Sequence, residues 1–136
     1  MGRDFGRLRR SVAMTPAASE IEIEATADRV WSLLTEFRYW PEWGPSVRAV
    51  YSEAETVAPG VKGHVQTRFG LWLPFEIEDF ESQRYWDWSV GGIRATGHRV
   101  APLSDARTKV VFTAPRLFIP YKLVLVRGLR RLKSIA

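Results

Sequence analysis

The sequence contains no cysteine, which removes disulfide frameworks, thiolate nucleophiles and cysteine-ligated zinc together. Histidine is nearly absent too. His64 and His98 are the only two, too few for a histidine-rich metal site, and neither a metal nor an organic cofactor is expected. No apolar run approaches the ~20 residues that span a bilayer. The first thirteen residues lack the apolar core of a secretion signal, so the expected compartment is the cytoplasm. There is no phosphate-binding glycine loop, no Ser/His/Asp order and no carboxylate pair at acid/base spacing. Acid is missing from the C-terminal stretch, where residues 116–136 hold six cations and no Asp or Glu.

What is present suits one globular domain with a real core: 136 residues, 46% hydrophobic and 26% charged. The net charge of +5 is unevenly placed. Residues 1–13 carry +3 and residues 116–136 carry +6, so the remainder carries −4. A mildly acidic middle between basic ends does not make a nucleic-acid-binding face, and no nucleic acid partner is expected. Residues 1–19 show no sustained period and scatter Arg among Gly and Pro. They read as a flexible basic arm, within which Met14 is a candidate alternative start, ahead of a domain over 20–136.

Half of the six tryptophans fall between Val30 and Val47. Val30, Leu33, Leu34 and Phe37 recur at helical spacing, with Thr26 or Asp28 as N-cap. Pro41 disfavours helix for Trp40, so the regular helix is expected to end or kink there. The following W-P-E-W-G-P is too rigid and too apolar for a solvated loop and must pack against something. Before it, S-E-I-E-I-E-A alternates strictly and predicts a strand with Ile21 and Ile23 on one face.

Downstream, alternation predicts strands over Val47–Tyr51, Gly63–Phe69, Leu71–Phe80, Tyr85–Val90, Ile93–Val100 and Thr108–Ala114, with turn signals about every ten residues, as in an antiparallel meander. Pro74 suggests a bulge or an edge position. Trp86, Trp88 and Val90 share a face, as do Arg94, Thr96, His98 and Val100. From Pro115 the period becomes helical: Phe118, Tyr121, Leu125, Leu129, Leu132 and Ala136 form one stripe. Gly128 interrupts this helix at a cost of about 1 kcal/mol relative to Ala, which suggests a close approach of the sheet or of a ligand.

A strand followed by V-W-x-L-L-T-E-F, then Y-W-P-E-W-x-P-S-V, and a terminal R-G-L-R-R-L-K helix, resembles the START-like SRPBCC superfamily, which includes polyketide cyclase/dehydrase and lipid-transport proteins. The resemblance spans roughly residues 20–136. It implies an α+β helix-grip fold, in which a curved antiparallel sheet wraps a long C-terminal helix and short helices follow the first strand. It also implies an apolar cavity for a small hydrophobic ligand, held as by a carrier or sensor. The expected walls are Trp40, Trp43, Phe75, Trp86, Trp88, Phe112, Tyr121 and Leu125. Arg94 and His98 are expected at the polar end, gripping a carboxylate, phenolate or enol oxygen. His98 is the one candidate catalytic group, for proton transfer in a cyclase or dehydratase. It is otherwise a hydrogen-bonded strand residue. A protein-interaction module with a vestigial pocket is the third reading. Arg127, Arg130, Arg131 and Lys133 form either a solvated helix face or a contact to anionic lipid headgroups.

Overall fold

Polar and apolar residues alternate along seven segments, and each becomes a strand in the computed structural model, which describes residues 17–115 and 121–136, with the backbone alone for 17 and 121–123. The strands are β1 (Ala17–Ile23), β2 (Val47–Tyr51), β3 (Lys62–Thr67), β4 (Trp72–Glu81), β5 (Tyr85–Val90), β6 (Ile93–Ser104) and β7 (Arg107–Ala114). They form one antiparallel sheet in the order β1-β7-β6-β5-β4-β3-β2. The meander β2 to β7 is therefore closed at its far side by β1, paired with β7 from Ala17↔Ala114 to Ile23↔Thr108. Helix α1 (Ala27–Thr35), a 3-10 turn (Phe37–Tyr39) and the single turn α2 (Trp40–Trp43) carry the chain from β1 to the opposite edge. The C-terminal helix α3 (Tyr121–Ile135) packs on β1, β7 and α2. This is the helix-grip arrangement: a curved sheet around a terminal helix, with short helices after the first strand.

The apolar stripe of α3 is buried at Leu125, Leu129 and Leu132, as its period requires, whereas Ala136 is exposed. Its cations Arg127, Arg130, Arg131 and Lys133 face solvent. The far end of α3 is held by α1, since Arg29 donates to the Ile135 carbonyl (3.2 Å), a cation at the negative end of a helix. Among the described residues no helix is long and apolar enough to cross a membrane.

Four local expectations change. The first strand starts at Ala17, inside the segment read as the arm; residues 1–16 lie outside the described residues. Helix α1 ends at Thr35, before Pro41, and Pro41 instead sits in the first turn of α2, where its missing amide has no intrahelical partner to lose. Pro74 lies neither at an edge nor in a bulge. Its carbonyl accepts from the Gly91 N–H (2.8 Å) at the last rung beside the β5–β6 turn, so only a terminal bond is lost. Strand β6 continues past Val100 through Pro102 to Ser104, paired with β7 from Gly97↔Thr113 to Ser104↔Arg107 with a shift after Pro102.

The C-terminus of α1 explains the tryptophan-rich turn. A helix leaves its last four carbonyls without intrahelical donors, and buried ones must find others. Here Ser32 O accepts from the Glu36 N–H (3.0 Å), and Thr35 O from Val57 N–H (2.9 Å) and Thr56 Oγ1 (3.1 Å). The two between them are served by side chains: Trp43 Nε1 donates to Leu33 O (2.8 Å) and Trp40 Nε1 to Leu34 O (2.9 Å). At the other end Thr26, and not Asp28, is the cap, its Oγ1 accepting from Arg29 N–H (3.1 Å). Replacing Trp43 with Phe keeps an aromatic ring but orphans the Leu33 carbonyl. Urea denaturation of Trp43→Phe is expected to show a loss of about 2 kcal/mol or more.

Candidate functional site

Alternation on β5 turns Trp86 and Trp88 inward and Asp87 outward; on β6 it turns Thr96, His98 and Val100 inward. Trp40, projecting from α2, meets these strands in the middle of the fold. Its ring stacks on Trp86 (centroids 5.2 Å, interplanar 7°) and meets Trp88 edge-on (5.0 Å, 72°). Phe37 and Phe75 close on it from the other sides (4.7 and 5.6 Å). Trp86 also stacks on His98 (3.9 Å, 26°). His98 meets Trp43 (5.8 Å) and Phe112 (5.0 Å) edge-on.

This packing revises the expected cavity. Trp40 and Phe75, expected as walls, pack into a continuous aromatic core, and the space left is about 40 Å³. At roughly 10–15 Å³ per water, that holds about three molecules. Trp40, Trp43, Trp86, Trp88, His98, Phe112 and Leu125 do line it; Phe75 does not. The outer wall comes from Pro45–Val47 and from α3 at Val124 and Gly128. A Cβ on Gly128 would stand 3.3 Å from the Phe112 ring and 3.5 Å from Pro45 Cδ, so the glycine permits the close approach that its place in the helix suggested. The W-P-E-W-G-P turn, expected to pack against something, reaches the cavity through Trp43–Pro45, whereas Thr96 was not singled out as a site residue. Thr96 shares His98's face by alternation, but nothing in the sequence marks it as a junction. The side chain of Tyr121, an expected wall, and Phe118 lie outside the described residues. Wider depressions, such as one of about 640 Å³ beside Tyr51, His64 and Pro74, are open troughs on the outer surface.

The polar groups of the cavity form one relay. Trp88 Nε1 donates to Thr96 Oγ1 (2.8 Å). The Trp86 carbonyl can only accept, so His98 Nδ1, 3.3 Å away, carries the ring proton. Nε2 is then the acceptor for the Thr96 hydroxyl (3.1 Å). Both nitrogens of His98 are engaged. Burial pushes its pKa down from 6.5 to about 3, against the opposing effect of the Trp86 carbonyl. The ring is therefore neutral near pH 7 and, in this geometry, offers neither a free lone pair nor a proton to a reacting group. One donor is left over: Trp86 Nε1–H is buried and has no acceptor among the described residues.

Arg94 does not join His98. Pairing runs Asp87↔Gly97 but then Ser89↔Arg94, so β6 carries one extra residue opposite Trp88. That bulge reverses the alternation. Arg94 is thrown to the outer surface, where its guanidinium meets Asp87 (2.8 Å) and Asp79 (3.7 Å). Asp87 also accepts from the Asp79 N–H (3.0 Å), beside a second irregularity in β4. Among the described residues the cavity is lined by no charged side chain, and no cluster of metal-ligating residues occurs.

The pH dependence follows from His98. Its folded pKa lies below its unfolded value, so protons favour the unfolded chain, and stability is lost as pH falls from about 6.5 toward 3. Between pH 7 and pH 5 the loss from this group is about 2 kcal/mol. Urea denaturation at the two pH values should show it, and the difference should largely vanish in His98→Gln.

The model of the family described as polyketide cyclase / dehydrase and lipid transport matches residues 14–133. No curated protein matches the chain. Among solved structures, an uncharacterized protein from Bacillus thuringiensis superposes with a TM-score of 0.69 at 17% identity, over 88% of this chain and 97% of that one. XoxI from Bacillus cereus gives 0.70 at 16% identity, over 88% and 94%. The Zhui aromatase/cyclase from Streptomyces sp. R1128 gives 0.69 at 14% identity, over 89% and 92%. At these identities the likeness is one of fold.

Proposed function

We propose that this chain, which belongs to the polyketide cyclase / dehydrase and lipid transport family, binds a small neutral apolar molecule bearing a hydrogen-bond-accepting oxygen, as a carrier or sensor. The site is the aromatic cavity between β5, β6, α2 and α3. The observation that carries this reading is the buried Trp86 N–H, which has no acceptor among the described residues and belongs to a residue lining a largely apolar cavity. A buried donor left unmade costs about 1–3 kcal/mol, which a ligand oxygen would recover. The ligand is neutral because no described residue lining the cavity would balance a charge: Arg94 faces outward and His98 is uncharged. An acceptor is required because the hydroxyl of Thr96 and both nitrogens of His98 are already occupied.

Entry requires the Pro45–Val47 segment to part from α3 at Gly128, which has no side chain and lies against Pro45 beside the cavity. The near-complete filling of the interior favours, as the second reading, an interaction module whose pocket is vestigial. Enzymatic cyclisation would have to proceed by shaping the substrate, since His98 has no free nitrogen.

Native mass spectrometry of freshly purified protein should show a retained small-molecule adduct. In titrations followed by tryptophan fluorescence, acetophenone should bind about tenfold more tightly than ethylbenzene, the worth of one hydrogen bond. Trp86→Phe should bring the two to parity. No adduct from any host, with no saturable binding of either probe, would sink the carrier reading and leave the vestigial pocket.

A further inference from the structure

We infer that the end of the sheet at the cavity mouth is a docking surface for an anionic lipid bilayer. Six large apolar residues are prominently exposed among the described residues, and four of them gather here: Phe69 (98%), Leu71 (59%), Trp72 (47%) and Ile93 (60%). They sit on or beside two hairpin turns, β3–β4 and β5–β6. Val47, the first residue of β2, pairs with Thr67, and Val90 pairs with Phe75. Both turns therefore lie at the end of the sheet where α2 passes into β2 through the cavity-lining segment. Arg68 fastens the first turn to that segment by donating from Nε to the Pro45 carbonyl (2.6 Å).

Charge selects the partner. Segments 44–48, 67–74 and 90–94 hold three arginines and no acid. Arg94 is paired with Asp87, whereas Arg48 and Arg68 have no acidic partner among the described residues. Cations beside exposed aromatic rings match an anionic headgroup layer over hydrocarbon. Shape selects it too. Phe69 is almost wholly exposed, and the four side chains are divided between two turns, three on β3–β4 and Ile93 on β5–β6. A fluid interface accepts such scattered anchors; a rigid protein partner requires a continuous complementary patch. The inference does not depend on what occupies the cavity.

Flotation of the full chain with phosphatidylcholine vesicles, with and without phosphatidylglycerol, tests it. Binding is expected to the anionic vesicles. The double variant Phe69→Ser/Trp72→Ser should lower partitioning about tenfold or more, from the lost burial of two aromatic side chains, with an unchanged circular dichroism spectrum. Replacing Arg127, Arg130 and Arg131 by Gln should cost less than the double variant does. Absence of vesicle binding overturns the proposal. So does a helix-face variant that abolishes binding while the double variant retains it. If the double variant instead dissolves a self-associated species formed without vesicles, the tips are a protein contact and the bilayer reading fails.

Discussion

Two indole N–H groups bonded to the last carbonyls of α1 are the constraint from which the interior is built. Helix α1 has nine residues and ends against the sheet, where water cannot serve its terminal carbonyls. An unserved buried carbonyl costs about 1–3 kcal/mol, a large fraction of the stability of a domain this size. Trp40 and Trp43 reach Leu34 and Leu33 only if α2 folds back under α1. That position drives the Trp40 ring between Trp86, Trp88 and Phe75. Trp86 in turn stacks on His98, whose Nε2 orders Thr96, which receives Trp88. One cap is thus linked through direct contacts to Trp86, Trp88 and His98 in the site. The same cap removes the volume that a larger cavity would occupy.

Much of this was legible in the sequence because it depends on period. Alternation located β2 where it lies and grouped Trp86 with Trp88 on one face and Thr96 with His98 on another, and the helical stripe found Leu125, Leu129 and Leu132. The Arg94 error has a definite physical origin. One extra residue in β6 reverses the parity of everything before it, and the stretch I-R-A-T-G carries no marker of a bulge that differs from ordinary strand sequence. Pro41 was misjudged for a different reason. Proline ends a helix that runs into it but suits a first turn equally well, and only the 3-10 turn ahead of it decides between the two. That Trp40 and Trp43 would be buried followed from their composition; that their N–H groups would serve a neighbouring helix is a tertiary fact with no local signal.

Charge is segregated with the same economy. Among the described residues the cavity is lined by no ionised side chain. Asp79, Asp87 and Arg94 gather on the outer face, where they tie the irregularities of β4 and β6 together. This explains how a strand can carry a bulge next to a buried site without loosening it: the reversed residue is held outside by an acid on the neighbouring strand. It also separates specificity from attraction. On the proposed reading, one indole N–H inside would select a neutral oxygen-bearing guest, while the arginines outside would draw the molecule to anionic surfaces.

The remaining step is where the interior can open. Trp40 is an unsuitable gate. Moving it would break its bond to Leu34, expose a carbonyl that water cannot reach while α1 stays in place, and undo contacts with four rings. The seam between α3 and the Pro45–Val47 segment carries no such burden. Gly128 contributes no side chain there, Val124 is half-buried, and Ser46 faces solvent. Separating the seam exposes modest apolar area, at about 25 cal/mol per Å², and orphans no helix terminus among those it touches. The cavity therefore opens more cheaply on its outer side than through the aromatic core. That outer side is the end of the sheet where Phe69, Leu71, Trp72 and Ile93 stand in water, so the step that exposes the cavity and the surface proposed to meet lipid occupy the same end of the molecule.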